Sequence, residues 1–218
     1  MNITVVIPGL NEKQYLARVL KKVRKFSPHI VYVDDGSSDG SPEIARKFTP
    51  HILSHEVNLG KGASMRTGAE YAFSKLKVDA VIFMDADDQH DPKEIPKFKE
   101  KLLEADVVFG VRSMGASMPL IRFLGNKGAS VLLNMLYGGY IPDIPSGYKA
   151  LTNRGYESVK WKSTGYEVET EIAMRVAKEK VPFTTVEIES IYHDTDKGMT
   201  ALDALHICRC LVEWRIGL

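Results

Sequence analysis

The sequence predicts an α/β protein: a mainly parallel, doubly wound sheet with flanking helices, folded as a single domain. Three observations point there. Short β-branched runs alternate with helical periodicity through the first half of the chain. The strands read as continuous apolar stretches, as they do when both faces of a sheet are covered. Three of them also run into polar sequence at their carboxyl ends, the edge where open α/β sheets bind ligands.

Ile3 to Ile7 is the first strand, and Pro8-Gly9-Leu10-Asn11 turns the chain. Leu16, Val19, Leu20 and Val23 then recur at helical spacing, with Asn11 placed as N-cap. Ile30 to Val33 is a second strand, followed by Asp34-Asp35-Gly36-Ser37-Ser38-Asp39-Gly40. Ser41-Pro42-Glu43 next supplies an N-cap, a proline at the first helical position and an acidic first turn. Ile52 and Leu53 form a brief extended piece, Gly60 to Gly62 punctuates, and Ala63 to Lys75 is helical. Ala80 to Met84 is a strand, Pro92 to Glu104 a helix, and Asp106 to Val111 another strand. Leu120 to Tyr137 reads as helix, Gly138 to Gly147 as loop, Val168 to Lys180 as helix and Phe183 to Tyr192 as an extended segment. From Thr200 to Leu218 a last helix carries Leu202, Leu205, Cys208, Leu211, Val212 and Ile216 as an apolar stripe that packs on the domain.

Composition narrows the function. At 218 residues and 44% hydrophobic the chain can bury a full core. Twenty-nine basic residues against 28 acidic ones leave a formal charge of +1, which disfavours nucleic acid as a partner. The two cysteines, Cys208 and Cys210, point to different sides of a helix, so neither a bridge nor a zinc site is expected and a reducing compartment is. No signal peptide and no run of ~18 apolar residues is present, so the expected location is cytoplasmic.

The chemistry concentrates in Val81-Ile82-Phe83-Met84-Asp85-Ala86-Asp87-Asp88-Gln89-His90. Alternate residues of a strand share a face, so Asp85 and Asp87 can reach one divalent ion while Ala86 lets a ligand approach the backbone. Asp35 at the end of the second strand is either an Asx-turn residue or an acceptor for a base N–H or ribose hydroxyls. Asn58-Leu59-Gly60-Lys61-Gly62-Ala63-Ser64-Met65-Arg66 adds small residues and two cations at a helix start. The Walker spacing is absent, so phosphates are not held as in a P-loop ATPase.

Five segments in order, Val6 to Glu12, Val33 to Gly40, Asn58 to Gly62, Met84 to His90 and Ser146-Gly147-Tyr148-Lys149-Ala150, resemble the motifs of family 2 glycosyltransferases of GT-A fold. They are most similar to the dolichyl-phosphate mannose and glucose synthase group. The resemblance spans residue 3 to about 198 and implies a catalytic domain over residues 1–199, divided into a nucleotide-binding half to about 112 and an acceptor half from about 113. Residues 200–218 form an added amphipathic helix. It implies a nucleotide-diphosphate sugar of the GDP-mannose or UDP-glucose type, Mg²⁺ or Mn²⁺, inversion at the anomeric carbon, and a polyprenyl or dolichyl phosphate acceptor. Peripheral contact with the cytoplasmic membrane face, a membrane protein partner or homo-oligomerisation would accompany such an acceptor.

Carried over by position, Pro8, Glu12 and Asp35 lie along the nucleoside, and Lys61 and Arg66 near the ribose or diphosphate. Asp85, Asp87 and Gln89 address the metal. Asn11, Gly36, Ala86, Arg112 and Ser146 complete the donor-site set, and Asp87, Asp143 and Lys197 the catalytic one. Asp143 is the candidate base should the acceptor be a hydroxyl; an anionic phosphate oxygen needs none. Where the lipid-phosphate group carries an arginine ahead of that aspartate, this chain has Pro142, and Arg112, Arg122, Lys127, Lys149 or Lys197 could substitute. His193 could join the metal, and Glu167 or Glu169 could meet the sugar or the acceptor. A sugar-phosphate nucleotidyltransferase would need a basic Gly-rich signature after the first strand, which Pro8 to Glu12 lacks; a nucleotide-sugar-binding module without turnover shares most of these residues.

Overall fold

A computed structural model describes residues 1–112, 120–189 and 201–217, with side chains described from residue 125 and from residue 205 in the last two segments. The elements run β1 (Ile3–Gly9), α1 (Lys13–Val23), β2 (Ile30–Asp34), α2 (Ser41–Ala45), β3 (His51–Ser54), α3 (Lys61–Ser74) and β4 (Ala80–Phe83). They continue with α4 (Ile95–Lys101), β5 (Val107–Arg112), α5 (Leu120–Tyr137), β6 (Lys149–Thr152), α6 (Asn153–Val159), α7 (Val168–Lys178), β7 (Phe183–Ile188) and α8 (Ala201–Ile216). Among the described residues, seven strands make one sheet in the order β3-β2-β1-β4-β6-β5-β7. All pairings are parallel except those of β6 with β4 and β5.

The sheet is covered on both sides, as the unbroken apolar strands predict. On one face Val6, Val31, Val33, Val81 and Phe83 pack with residues of α3, α5, α7 and α8. On the other, Val5, Ile7, Ile30 and Ile82 meet Leu16, Val19, Leu20 and Val23 of α1 and Ile95 and Phe98 of α4. Adjacent strand residues thus serve opposite cores, and each fully buried Val, Ile or Leu contributes roughly 1.5–3 kcal/mol.

Several elements differ from expectation. Strand β6 and helix α6 are not legible in the sequence: β6 has four residues and opens on Lys149. The N-cap of the second helix is Gly40 at φ +87°, not Ser41, and α2 lasts only five residues; Asp39 Oδ1 accepts from both the Ser41 N–H and hydroxyl. The segment after β4 begins as a 3₁₀ turn over Pro92–Glu94 before α4, because Pro96 has no N–H with which to continue an α-helix through it. On α8 the inward face is Ile207, Cys210 and Leu211, while Leu205, Val212 and Ile216 of the expected packing stripe face outward. Among the described residues, no helix is long and apolar enough to cross a membrane.

Candidate functional site

The carboxyl ends of β1, β2 and β4 open onto a cleft of about 220 Å³ whose lining includes Pro8, Glu12, Asp35, Lys61, Asp85 and Asp87. Parallel register aligns these ends: Gly9 pairs with Asp34, the Asp35 N–H reaches Gly9 O at 2.9 Å, and Met84 N–H bonds Val6 O at 3.1 Å. Three distant stretches of sequence are therefore presented at one edge.

At the floor of the cleft stands a chain of charges. Lys61 Nζ lies 2.7 Å from Asp85 Oδ1 and 2.8 Å from Glu169 Oε1. Burial works against the ammonium, yet Asp85 and Glu169 outweigh it and hold its proton well above the ordinary lysine range. Burial likewise opposes ionised Asp85, and Lys61 more than offsets it, keeping the carboxyl below its usual value. Gly147 completes the cradle, since a Cβ there would collide with Asp85 Oδ2 and stand 2.9 Å from Lys61 Nζ.

The turn that carries the aspartates is tightly built. Asp87 Oδ1 accepts the Gln89 N–H at 3.0 Å, and Asp88 adopts a left-handed backbone at φ +62°. His90 Nδ1 accepts the Asp85 N–H at 3.2 Å, and the ring stacks on Tyr148 with centroids 4.9 Å apart. Burial, opposed only in part by Asp85, pushes the imidazole down to about 4, so the ring is neutral with its proton on Nε2.

Lys61 reaches its place because α3 begins against another loop. A Cβ at Gly60, whose φ is +97°, would run into Thr164 O, and Ala63 N–H bonds that same carbonyl at 3.1 Å. Glu171 fixes the loop from below, accepting from the N–H groups of Lys162 and Ser163, the Ser163 hydroxyl and Arg175. Glycines at the helix start and a buried carboxylate on α7 together bring Lys61 opposite Glu169.

Asp35 has structural duties. It accepts from Leu59 N–H at 3.0 Å and Gly60 N–H at 2.8 Å, and His55 Nδ1 is 2.7 Å from Oδ1. Burial would raise the carboxyl, but His55, Leu59 and Gly60 hold it below the usual range. The side-chain bond within the turn belongs instead to Asp34, whose Oδ2 accepts the Ser37 N–H at 3.2 Å, and Asp35 clamps the loop ahead of α3 while lining the cleft. Gly36, at φ +81°, lets that loop cross, as a Cβ would meet the Val57 backbone. Ala86 lines the cleft beside Gly9.

Other expected site residues lie elsewhere or are engaged. Asn11 does not cap α1; at φ +56° it ties two loops, accepting from Ser38 N–H and donating its own N–H to the Ser37 hydroxyl, while Glu12 takes the N-cap position. Arg66 does not line the cleft, and its Nη1 lies 3.4 Å from Trp161 O and 3.5 Å from Lys162 O. Arg112 forms a two-pronged bridge to Asp143, Nε and Nη2 each at 2.7 Å, and adds its backbone N–H. With Asn126 Nδ2 as a fourth donor, the buried Asp143 has its oxygens occupied by the protein and is poorly suited to serve as a base. Gln89 contributes its backbone N–H to Asp87 and does not line the cleft. Ser146 is buried and its carbonyl accepts from Lys149 Nζ. Lys127 bonds Tyr140 Oη. Lys197 and His193 lie outside the described residues, as does the Arg122 side chain.

Among the described residues, no three His, Cys, Asp or Glu side chains converge as a metal cage. The donor set nonetheless suits a hard divalent ion. Two carboxylates leave the remaining positions to substrate phosphates and water, the arrangement Mg²⁺ commonly takes, and the Lys61 ammonium already shows that Asp85 faces a place that favours positive charge. In the sequence Glu169 is one of two options beside Glu167, and no local signal marks His90 or Gly147 for a role although both lie within the five motifs.

Comparison with known proteins agrees with this geometry. Residues 4–158 match the family model described as Glycosyl transferase family 2. The UDP-N-acetylglucosamine–dolichyl-phosphate N-acetylglucosaminyltransferase of Methanococcus voltae is 27% identical over 99% of this chain and 96% of its own length. The undecaprenyl-phosphate mannosyltransferase of Micrococcus luteus is 28% identical, covering 87% of this chain and 85% of that protein. In fold, the chain superposes on glucosyl-3-phosphoglycerate synthase of Mycobacterium tuberculosis, solved with Mn²⁺, uridine diphosphate and phosphoglyceric acid. The TM-score is 0.73 at 20% identity, with 100% of this chain and 79% of that one covered.

Proposed function

The chain belongs to glycosyl transferase family 2, and on that premise we propose that it moves a hexose, with inversion, from a nucleoside-diphosphate sugar to a polyprenyl phosphate. That it is a glycosyltransferase follows from the family and from relatives that bear such names. The donor, of the GDP-mannose or UDP-glucose type, and the acceptor are the proposal. The observation that carries it is the Asp85–Lys61–Glu169 chain of charges at the floor of a cleft shared by three strand ends.

In this reading Pro8, Glu12 and Asp35 bound the nucleoside, and residues 1–112 form the donor half of the domain. Asp85 and Asp87 would hold Mg²⁺ or Mn²⁺, which when bound supplies charge neutralisation at the diphosphate. Lys61 keeps a protonated ammonium in the cleft wall beside that position and so stabilises the negative charge that grows on the leaving diphosphate. A phosphate oxygen of the acceptor forms the new bond to the anomeric carbon as the bond to the diphosphate breaks and its electron pair leaves. No proton need be removed from such an acceptor. The engagement of Asp143 by Arg112 and Asn126 supports this over a hydroxyl acceptor, since the carboxylate best placed in the motif order to act as base is occupied.

The outward stripe Leu205, Val212 and Ile216 on α8, with Arg209 and Arg215 on the same helix, would rest on a membrane surface where a lipid acceptor is met. The test is transfer. With Mn²⁺ and a panel of UDP- and GDP-sugars, one donor should raise the melting temperature, and its sugar should pass to polyprenyl phosphate in an organic extract; Asp87→Ala should abolish both. Donor binding without release of nucleoside diphosphate in the presence of any polyprenyl phosphate would overturn the reading in favour of a binding module.

A further inference from the structure

In the run Asp85-Ala86-Asp87-Asp88 the third aspartate looks like one more ligand for the cleft. The fold sends it the other way. Asp88 is 2% exposed, with Arg18 Nε 2.8 Å from Oδ2 and Lys22 Nζ 2.8 Å from Oδ1. Both cations belong to α1, one turn apart on a single face, while Leu16, Val19, Leu20 and Val23 bury the opposite face in the core. The left-handed backbone of Asp88 is what allows the turn to reverse here, directing Asp87 to the cleft and Asp88 to the helix.

Helix α1 is itself tied to the donor edge. Its first N–H, that of Lys13, bonds Asp39 Oδ2 at 2.9 Å in the loop after β2, and Asn11 just ahead bonds Ser37 and Ser38 of that loop. One rigid helix therefore touches the loop after β2 at its start and the aspartate turn farther along. Within the turn, Asp87 caps Gln89 and His90 receives Asp85, but those bonds are internal and fix its shape alone. The His90–Tyr148 stack and the Lys61–Asp85 pair anchor its two ends, and the Asp88 bridge ties its middle to α1.

We propose that Asp88 is a positioning residue for the divalent-ion and diphosphate site, acting through its double ion pair with Arg18 and Lys22 of α1. The inference rests on the donor-site reading of Asp85 and Asp87. It differs from a general stabilising role because loss of the bridge lets the turn carrying Asp87 shift relative to the loop after β2 while Asp85 keeps its Lys61 contact, so metal and diphosphate binding fall further than folding does.

Asn tolerates the left-handed backbone and keeps the shape of Asp while removing the charge, so Asp88→Asn is the informative variant. Its metal affinity is read directly, as protein-dependent loss of the free Mn²⁺ electron paramagnetic resonance signal with UDP or GDP present, above a nucleotide-only control. Wild type is expected to bind. Asp88→Asn should bind about 10-fold more weakly, the scale on which partners behind metal ligands act. The double variant Arg18→Gln/Lys22→Gln should reproduce that loss, and combining all three changes should weaken binding no further than Asp88→Asn alone, as expected for groups acting as one unit. Folding is followed separately through the melting temperature without metal or nucleotide; should Asp88→Asn fail to fold, Lys22→Gln, which keeps the Arg18 pair, takes its place with a smaller weakening expected. Unchanged Mn²⁺ affinity in a folded variant, or losses that add, overturns the assignment while leaving the donor site standing. Absence of Mn²⁺ binding by the wild type overturns both.

Discussion

Lys61 Nζ stands 2.7 Å from Asp85 Oδ1, so the carboxylate that faces the cleft already has a cation against it. The pair joins the start of α3 to the end of β4, and Glu169 extends it to α7. The ammonium stays protonated against the cost of burial because two carboxylates face it, and Asp85 stays charged because the ammonium is there. The site thus carries a fixed arrangement of charge before any substrate enters, which is the condition for electrostatic stabilisation of a leaving diphosphate.

Replacing Lys61 by Met separates its two effects. The leaving group loses its nearest cation, so single-turnover sugar transfer should slow by roughly 10²- to 10³-fold. Asp85 loses a competitor at the same time, so Mn²⁺ binding should be unchanged or tighter. A variant whose turnover and Mn²⁺ affinity fall together would show that Lys61 organises the metal position instead.

Gly147→Ala tests the cradle. The added methyl would collide with Asp85 Oδ2 and crowd Lys61 Nζ. One of the pair must move, and transfer should fall at least tenfold, whereas the loop lies outside regular structure and the melting temperature should change by only a few degrees. Wild-type transfer rates in this variant would exclude tight apposition of Gly147 and Asp85 in the working enzyme.

The aspartate turn and Lys61 were legible because each follows a strand or opens a helix that periodicity reveals, and parallel order brings such ends to one edge. Glu169 could be named only as an option, because its place depends on how α7 docks, with Glu171 holding the 162–163 loop; no local pattern encodes that. Strand β6 is hard to see in the sequence because four residues opening on a buried lysine do not read as a strand, yet it lies inside the sheet between β4 and β5. Arg112 and Asp143, 31 positions apart, each read in the sequence as a residue for the substrate site, and a charge's preference for another protein charge is invisible until the chain is folded. The α8 stripe failed for a related reason: the helix is apolar on two sides, so the sequence could not say which one packs inward.

Lys149 gives a pH signature. Fully buried, with Nζ donating to Ile144 O and Ser146 O, its amine is pushed down by burial to about 8, against an ordinary value of 10.5; Glu169 opposes the shift only in part. Between about 8 and 10.5 the unfolded chain therefore holds a proton that the folded one has released. More protons on the unfolded state mean that stability rises with pH across this window, by on the order of 3 kcal/mol for this group. Urea unfolding from pH 7.5 to 10.5 should show that contribution in the wild type, over the background of other lysines and tyrosines, and Lys149→Met should remove it. Identical slopes in the two proteins would mean the amine titrates as an ordinary surface lysine.

The outer face of α8 carries the prediction most closely tied to a lipid acceptor. Leu205, Val212 and Ile216 are 67%, 43% and 66% exposed and recur at seven and four residues, so they share one side of the helix, while Ile207, Cys210 and Leu211 fill the core. Two apolar faces exceed what packing on the domain needs. If the outer one enters the interfacial layer of a bilayer, each large side chain contributes roughly 1.5–3 kcal/mol, and Arg209 and Arg215 favour anionic headgroups. Leu205→Glu/Ile216→Glu should then reduce co-flotation with anionic vesicles by at least about tenfold, given two such losses. The same variant should still transfer sugar from the nucleotide donor to a water-soluble short-chain polyprenyl phosphate, with release of nucleoside diphosphate, at the wild-type rate, because neither residue lines the cleft. Equal flotation of the two proteins would assign the stripe to something other than a membrane, and loss of activity on the short-chain acceptor would show that α8 supports the catalytic domain itself.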